Sequence, residues 1–392
     1  MQKHTVKINA VTNKMEIYLD NAATTRIEQV VLDEINEFSN KFANPSSQYR
    51  LALNTKKEIE EAREKIAKFI NAEPEEIIFT SGATESNNFA LKGLALANPT
   101  KKHIITSKIE HPAIIQTCKA LESQGYKVDY INVNEEGIVN VEKIKQKITP
   151  DTLVVSIMHV NNEIGTIQPI EHIAAICKQK NVYFHTDAVQ SFRKIDLDVK
   201  EKNIDLMSVS GHKINTPKGI GILYIKIGTR IKPLINGGGQ EFKLRAGTEN
   251  TIGIKSIAKA IEIPQGKKKM LELRNYMIEE LLKIKGTKLN GSRSDRIYNN
   301  INISFYGIEG ESLMLLLDDE GIYVSTGSAC SSHSLEESHV LKAINVPELY
   351  IHGSIRITIS NDTTKEQIDT VIEKLKEKVE KLRQISPFKL ED

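Results

Sequence analysis

Short apolar runs alternate with helical patterns from residue 76 to residue 225, and that rhythm limits the possible folds more than any other feature of the chain. Glu76-Ile77-Ile78-Phe79-Thr80 reads as a buried strand that runs into Ser81-Gly82-Ala83-Thr84-Glu85, a turn opening a helix. Further strands are expected at His103–Thr106, Thr152–His159, Val182–Thr186, Leu206–Ser210 and Ile220–Ile225, with helices at Ile114–Gln124 and Ile170–Lys180. An earlier helix is expected over Asn54–Ile70, with Ile59, Ala62, Ile66 and Phe69 at helical spacing. Such alternation predicts an α/β fold whose mostly parallel sheet is covered on both faces. After about Gly266 the pattern changes to a Lys/Glu-rich helix (Lys268–Lys285), a strand (Asn300–Phe305), a helix (Glu311–Glu320), a strand (Gly353–Ile359) and an amphipathic helix (Thr364–Arg383). This is the signature of a smaller α+β unit. The expected division is a large domain over 16–265 and a small one over 266–392. Residues 1–15 form an extension, and a first segment, about 16–30, is shared with the small domain.

A chain of 392 residues accommodates two packed domains. Its formal net charge of +2 gives no bulk attraction for nucleic acid. The three cysteines, Cys118, Cys177 and Cys330, form no CxxC pair, which favours a reducing compartment over a disulfide framework. No apolar run approaches the roughly 20 residues of a membrane span, and the polar start lacks the apolar core of a signal peptide. A cytoplasmic protein without a membrane partner is expected.

Six segments carry chemistry. Ser208-Val209-Ser210-Gly211-His212-Lys213 ends an apolar strand in hydroxyls, a glycine, a histidine and a lysine. A lysine at a strand end can form a Schiff base with an aldehyde cofactor, with Ser210 and His212 beside a phosphate, although Lys218 is a rival. Asp187 follows Phe184-His185-Thr186, and a buried carboxylate there needs a partner, which a pyridinium nitrogen would supply. It would equally serve as a helix N-cap. Cys330 lies in Ser325-Thr326-Gly327-Ser328-Ala329-Cys330-Ser331-Ser332-His333-Ser334, a run of small polar residues that cannot pack a core, so its thiol is a candidate nucleophile or else an incidental exposed cysteine. Cys118 and Cys177 sit in helical patterns and read as packing residues. Arg356, on an isoleucine-rich strand, needs an anion, either a substrate carboxylate or a structural carboxylate. His111, before Pro112, is placed to stack on a cofactor and move protons, or simply to serve a turn. Ser81-Gly82-Ala83-Thr84 suits an anion at a helix N-terminus and equally an ordinary cap. No set of metal ligands is expected.

Taken in order, these segments resemble the cysteine desulfurases of the NifS/IscS family. The matching motifs are Tyr18-Leu19-Asp20-Asn21-Ala22-Ala23-Thr24-Thr25, Asn44-Pro45-Ser46-Ser47, Thr80 to Ser86, Glu110-His111, His159 to Gly165, His185 to Gln190, Ser210 to Lys213, Arg245 to Thr248, Gly327 to Cys330, and Ser354-Ile355-Arg356. The resemblance implies a homodimer of pyridoxal 5'-phosphate fold type I that converts L-cysteine to L-alanine and holds the sulfur as a persulfide on Cys330. It implies that Lys213 carries the cofactor, which settles its rivalry with Lys218, and that Lys213, Cys330 and His111 are catalytic. It further implies that Asp187 faces the pyridinium nitrogen and Gln190 the phenolic oxygen. Ala83, Thr84, Ser210 and His212 hold the phosphate, and Thr248 reaches it from the other subunit. His111 stacks on the ring, and Asn162 and Arg356 bind the substrate carboxylate near Asn21. The implied partner is a sulfur acceptor, an iron–sulfur scaffold or a tRNA-thiolation protein, with no direct nucleic-acid contact. Departures are Tyr49 where relatives often have histidine, and Leu51-Ala52-Leu53 where a glycine is common. Longer IscS-type chains also carry a docking tail beyond the position of Ser386-Pro387. A selenocysteine lyase or a small-amino-acid aminotransferase on the same fold needs no thiol in such a run, and Cys330 argues against both.

Overall fold

The structure, a computed structural model, describes residues 16–326 and 337–390. Among the described residues the strands are β1 (Ile17–Tyr18), β2 (Ile77–Thr80), β3 (His103–Ser107), β4 (Lys127–Ile131), β5 (Thr152–Ser156), β6 (Tyr183–Asp187), β7 (Leu206–Ser210), β8 (Gly221–Ile225), β9 (Thr287–Leu289), β10 (Asn300–Phe305), β11 (Ile322–Tyr323) and β12 (Ser354–Thr358). The α-helices are α1 (Gln29–Phe38), α2 (Arg50–Phe69), α3 (Ala83–Ala97), α4 (Pro112–Glu122), α5 (Val141–Lys147), α6 (Ile170–Gln179), α7 (Thr251–Ala260), α8 (Lys267–Leu282), α9 (Gly310–Asp318), α10 (His339–Ala343), α11 (Glu348–Ile351) and α12 (Lys365–Ile385).

Seven strands form one sheet in the order β2-β8-β7-β6-β5-β3-β4. Only β8 runs against its neighbours β2 and β7. The expected mostly parallel sheet is thus present, and its physical cause is visible in the side chains. On β2, Ile77 and Phe79 join one core with α2, α6 and α7, while Ile78 joins a second core with α3 and α4. On β8, Ile222 and Tyr224 face the first core, and Leu223 and Ile225 the second. A strand buried on both faces is apolar throughout, which is why these segments read as continuous hydrophobic runs. Helices α1, α5 and α7 and strand β4 were not expected from the sequence.

A third apolar core unites β10 and β12 with α8, α9 and α12, and it includes Ile17 and Leu19 of the N-terminal segment. Here the antiparallel sheet β12-β10-β9 shows true alternation. Ile301, Ile303 and Phe305 enter the core, whereas Asn300 and Asn302 turn the other way and donate to the backbone carbonyl of Glu163, each at 3.2 Å. Gly165 allows this approach. It has φ +71°, and a Cβ there would fall 2.6 Å from Asn300 Oδ1.

Candidate functional site

Parallel strands deliver their C-terminal ends to one edge of a sheet, where ligands of open α/β folds bind. At that edge β6 ends in Asp187, β7 in Ser210, and the turns after β2, β3 and β5 carry Gly82–Thr84, Glu110–His111 and His159–Glu163.

Asp187 is buried, 5% exposed. Its Oδ2 accepts from Asn87 Nδ2 at 2.7 Å and its Oδ1 from the Val189 N–H at 3.0 Å. Among the described residues no cationic side chain pairs with it. A buried carboxylate without a counter-charge is costly, and a protonated heteroaromatic nitrogen is the group that would complete it. Beneath Asp187, His185 bridges Ser156 on β5 (2.8 Å) and Ser208 on β7 (3.0 Å). Burial lowers its pKa to about 3, so this fully enclosed ring is neutral.

His111 caps α4, its Nδ1 accepting from the Ala113 N–H at 3.1 Å. An accepting nitrogen carries no proton, so the neutral ring holds its hydrogen on Nε2. Burial lowers its pKa; Asp187 opposes this, and Lys213 and His339 reinforce it. Those influences also show that the four groups share one neighbourhood. The Lys213 ammonium donates to the carbonyls of Ala22 and Ala23, and Gln190 Nε2 donates to Ala22 at 3.1 Å. His212 Nδ1 lies 3.2 Å from Thr24 Oγ1, and burial, then the charges of Lys213 and Lys218, lower its pKa to about 4.

The structure has a cradle that suits a phosphate. A Cβ on Gly82 would sit 3.9 Å from Ser210 Oγ, and a Cβ on Gly221 would fall 2.6 Å from Gly82 Cα. The bare backbone of the turn before α3 can therefore press against β8, presenting the helix N-terminus beside the Ser210 hydroxyl. Ala83 and Thr84 begin that helix. Together with the lone carboxylate of Asp187 and the amine of Lys213, the residues present fit pyridoxal phosphate.

Arg356 is 3% exposed and ion-paired: Nη2 donates to Asp20 Oδ1 at 2.7 Å and Nη1 to the Asn162 carbonyl at 3.1 Å. Its Nε is buried and has no partner among the described residues. The structural ion pair considered from sequence is thus present, and Asn162 is brought to the arginine through its backbone. Asn21 Nδ2 donates to the Thr358 carbonyl at 2.7 Å. Thr248 is exposed in the single chain. Cys118 and Cys177 are buried within helices, and burial pushes the Cys118 thiol up to about 12. Cys330 lies outside the described residues. The described residues flanking its segment are anchored here. The backbones of Ser325 and Arg356 pair in both directions. Ser338 Oγ donates to Glu163 Oε2 at 2.6 Å, and His339 Nε2 lies 3.0 Å from the Glu110 carbonyl.

The sequence placed Glu110, Glu163 and His185 in motifs without a role of their own, and it gave no sign of Ser338; Asn87 was missed as well. Asn87 had a signal, because it heads the buried helical stripe continued by Ala90, Leu91 and Leu94, where a polar residue demands a partner.

Comparison with known proteins agrees with this geometry. Residues 17–371 match the class-V aminotransferase family. Cysteine desulfurase IscS of Dictyoglomus turgidum is 52% identical over 386 residues, covering 96% of this chain and 98% of its own. Cysteine desulfurase IscS of Methanosarcina thermophila is 50% identical, covering 97% and 96%. Among solved structures, a NifS-like protein superposes with a TM-score of 0.89 at 40% identity, covering 94% of this chain and 100% of that one. A structure described as SspA in complex with cysteine gives 0.80 at 38% identity, covering 89% and 100%. With identity this high along almost its whole length, the chain belongs to the class-V aminotransferase family and, within it, to the pyridoxal-phosphate-dependent cysteine desulfurases of the NifS/IscS type.

Proposed function

We propose that this protein takes sulfur from free L-cysteine, releases L-alanine, and carries the sulfur as a persulfide on Cys330 to an acceptor protein. One observation carries the reading beyond family membership. The described flanks of the Cys330 segment are tied to Arg356 on one side and to Glu110 and Glu163 on the other, around the neighbourhood of His111, Asp187 and Lys213.

Pyridoxal phosphate, when bound, supplies the electron sink that lets bonds at the substrate α-carbon break. The chain's own residues do the rest. Lys213 would hold the cofactor and supply the base that moves the α-proton. Asp187, steadied by Asn87, would keep the ring nitrogen charged, and Gln190 would serve the phenolic oxygen. Ala83, Thr84, Ser210 and His212 would hold the phosphate. Arg356 and Asn162, with Asn21 nearby, receive the substrate carboxylate, which must share the guanidinium with Asp20. His111, with its hydrogen on Nε2, would lie against the ring and offer that proton at the reacting atoms. The Cys330 thiolate attacks the substrate sulfur. An S–S bond forms as the C–S bond breaks, the electron pair goes to carbon, and carbon takes a proton. L-cysteine and enzyme thiol thus give L-alanine and enzyme persulfide, with every atom and electron retained. The sulfur then passes, in the cytoplasm, to an iron–sulfur scaffold or a tRNA-thiolation protein. The separate apolar core of β10, β12, α8, α9 and α12 supports a small domain over 266–392, sharing the first strand, against a large domain over 16–265.

Cys330→Ser tests the reading. It should bind L-cysteine and shift the cofactor spectrum as wild type does, yet make no alanine, because a hydroxyl is a far poorer sulfur acceptor than a thiolate. Alanine release at the wild-type rate would make the chain a lyase or transaminase instead.

A further inference from the structure

Lys194 is a buried cation for which the chemistry above has no use. It is 8% exposed, and its ammonium donates to the Gln190 carbonyl at 3.2 Å. Among the described residues no carboxylate pairs with it. The charges that reach it come from Lys213, on the turn after β7, and from its neighbour Arg193, and both are positive. Arg193 is itself held by the Ile214 and Ile263 carbonyls and by Asn215 Oδ1. Lys194 and Lys213 line one cavity with three acids, Glu16, Glu28 and Asp362: Glu28 faces Arg193, Asp362 faces Glu28, and Glu16 accepts from the Tyr323 hydroxyl. A chain of contacts joins the two amines. Lys194 donates to Gln190, Gln190 donates to Ala22, and Lys213 donates to that same Ala22 carbonyl.

Fold stability alone does not explain a lysine here. A buried ammonium with a single carbonyl acceptor and only like charges around it is destabilising. We infer that Lys194 is a positioning residue for Lys213: its buried positive charge, one contact chain away, disfavours protonation of the nitrogen through which Lys213 holds the cofactor. Like charges in a low-dielectric interior lower each other's proton affinity. The effect is already visible on Lys194, whose pKa is lowered to about 7 by burial, then by Lys213 and Arg193. The inference rests on the proposed role of Lys213.

The test is the pH titration of the cofactor absorption band in the holoenzyme. In Lys194→Met the midpoint should rise by about half a unit to one unit, since the neighbouring charge is gone. In Lys194→Arg, which keeps the charge, it should stay at or below the wild-type value. A purely structural lysine would lower the melting temperature of Lys194→Met and leave the midpoint in place, and that result overturns the inference. If Lys194→Met does not fold, Lys194→Gln is titrated in its place, with the same rise expected and an unchanged midpoint again decisive against it. The apoprotein gives a second readout. A lysine whose folded pKa is depressed makes stability rise as pH increases from about 7 toward the unfolded value near 10.4. The urea midpoint of wild type should therefore climb over that window relative to Lys194→Met, and parallel curves would count against the role. Lys213→Ala separates the two failures. A wild-type band that survives Lys213→Ala removes the proposed function itself, whereas an unshifted midpoint in cofactor-loaded Lys194→Met removes only the role of Lys194.

Discussion

Glu110 shows how single residues at this site trade stability for placement. Its side chain is fully enclosed, accepting from Ser107 Oγ at 2.5 Å and from the Met158 N–H at 3.0 and 3.1 Å. It thereby joins the end of β3 to the chain leaving β5 and fixes the position of His111, the next residue. Burial raises its pKa to about 8; the Ser107 and Met158 hydrogen bonds oppose this, and Asp187 adds to it. The carboxyl is thus largely protonated when the protein is folded and ionised at neutral pH when it is unfolded. A group whose folded pKa is raised contributes stability that is whole below about pH 4.3 and is lost as pH rises through about 8. Glu110→Gln keeps the side-chain size and an acceptor for the Met158 N–H without the titration. Between pH 5 and pH 8 wild type should lose stability relative to Glu110→Gln by about 2–5 kcal/mol. Urea unfolding of the two apoproteins at both pH values checks this; parallel pH dependences would show that Glu110 is ionised in the fold.

At the scale of elements, one buried ion pair holds the loop before α7 against the sheet. Arg63 of α2 grips Glu241 with two nitrogens, at 2.7 and 3.0 Å, and also donates to the Ile77 carbonyl. Glu241 accepts in turn from the Phe79 N–H of β2 at 2.7 Å. Glu241, Phe242 and Lys243 all have positive φ, at 43°, 55° and 65°. Such backbone costs about 1–3 kcal/mol per residue, and the contacts of Arg63 offset it. Arg63→Met should therefore destabilise the protein by about 3–5 kcal/mol by stranding Glu241. The double variant Arg63→Met/Glu241→Met should recover much of the ion-pair part, and a double variant no more stable than Arg63→Met in urea would refute the account. None of this was legible in the sequence, because Arg63 and Glu241 are 178 residues apart. What was legible followed from local pattern. Strands Leu206–Ser210 and Asn300–Phe305 are bounded where expected, since both are wholly buried and end at sharp changes of polarity. Strand β4 escaped notice because it is the sheet edge, and Lys-Val-Asp-Tyr-Ile shows no apolar run. Helix α1 buries only Val31 and Phe38, too few anchors for a clear stripe. The site divides in the same way. Residues at strand ends stood out by motif, whereas Asn87 meets Asp187 only because the fold brings α3 against the end of β6.

At the scale of the whole molecule, the proposed function calls for a second chain at the site. Thr248 is exposed, in a loop that Arg245 fastens to the first turn of α3 through Glu85 at 2.9 and 3.2 Å. Elsewhere the segment over 42–53 leaves Phe42 84%, Tyr49 57%, Leu51 45% and Leu53 52% exposed, an apolar surface that a second subunit would cover. If Thr248 serves the phosphate of the other subunit, each active site takes Lys213 from one chain and Thr248 from its partner. Subunit mixing distinguishes that arrangement from a site built within one chain. Thr248→Val should weaken cofactor binding by about 1–3 kcal/mol through a lost hydrogen bond. Lys213→Ala should be inactive at any cofactor level. In a mixed dimer of the two variants, the chain with intact Lys213 faces a partner with intact Thr248. One of its two sites is then complete, and at limiting cofactor the dimer should show about half the wild-type turnover, well above either parent. If Thr248 instead served its own chain, the only site with Lys213 would still lack its threonine, and mixing would restore nothing. Turnover of tagged, purified mixed dimers at limiting pyridoxal phosphate therefore decides whether the second subunit belongs to the active site.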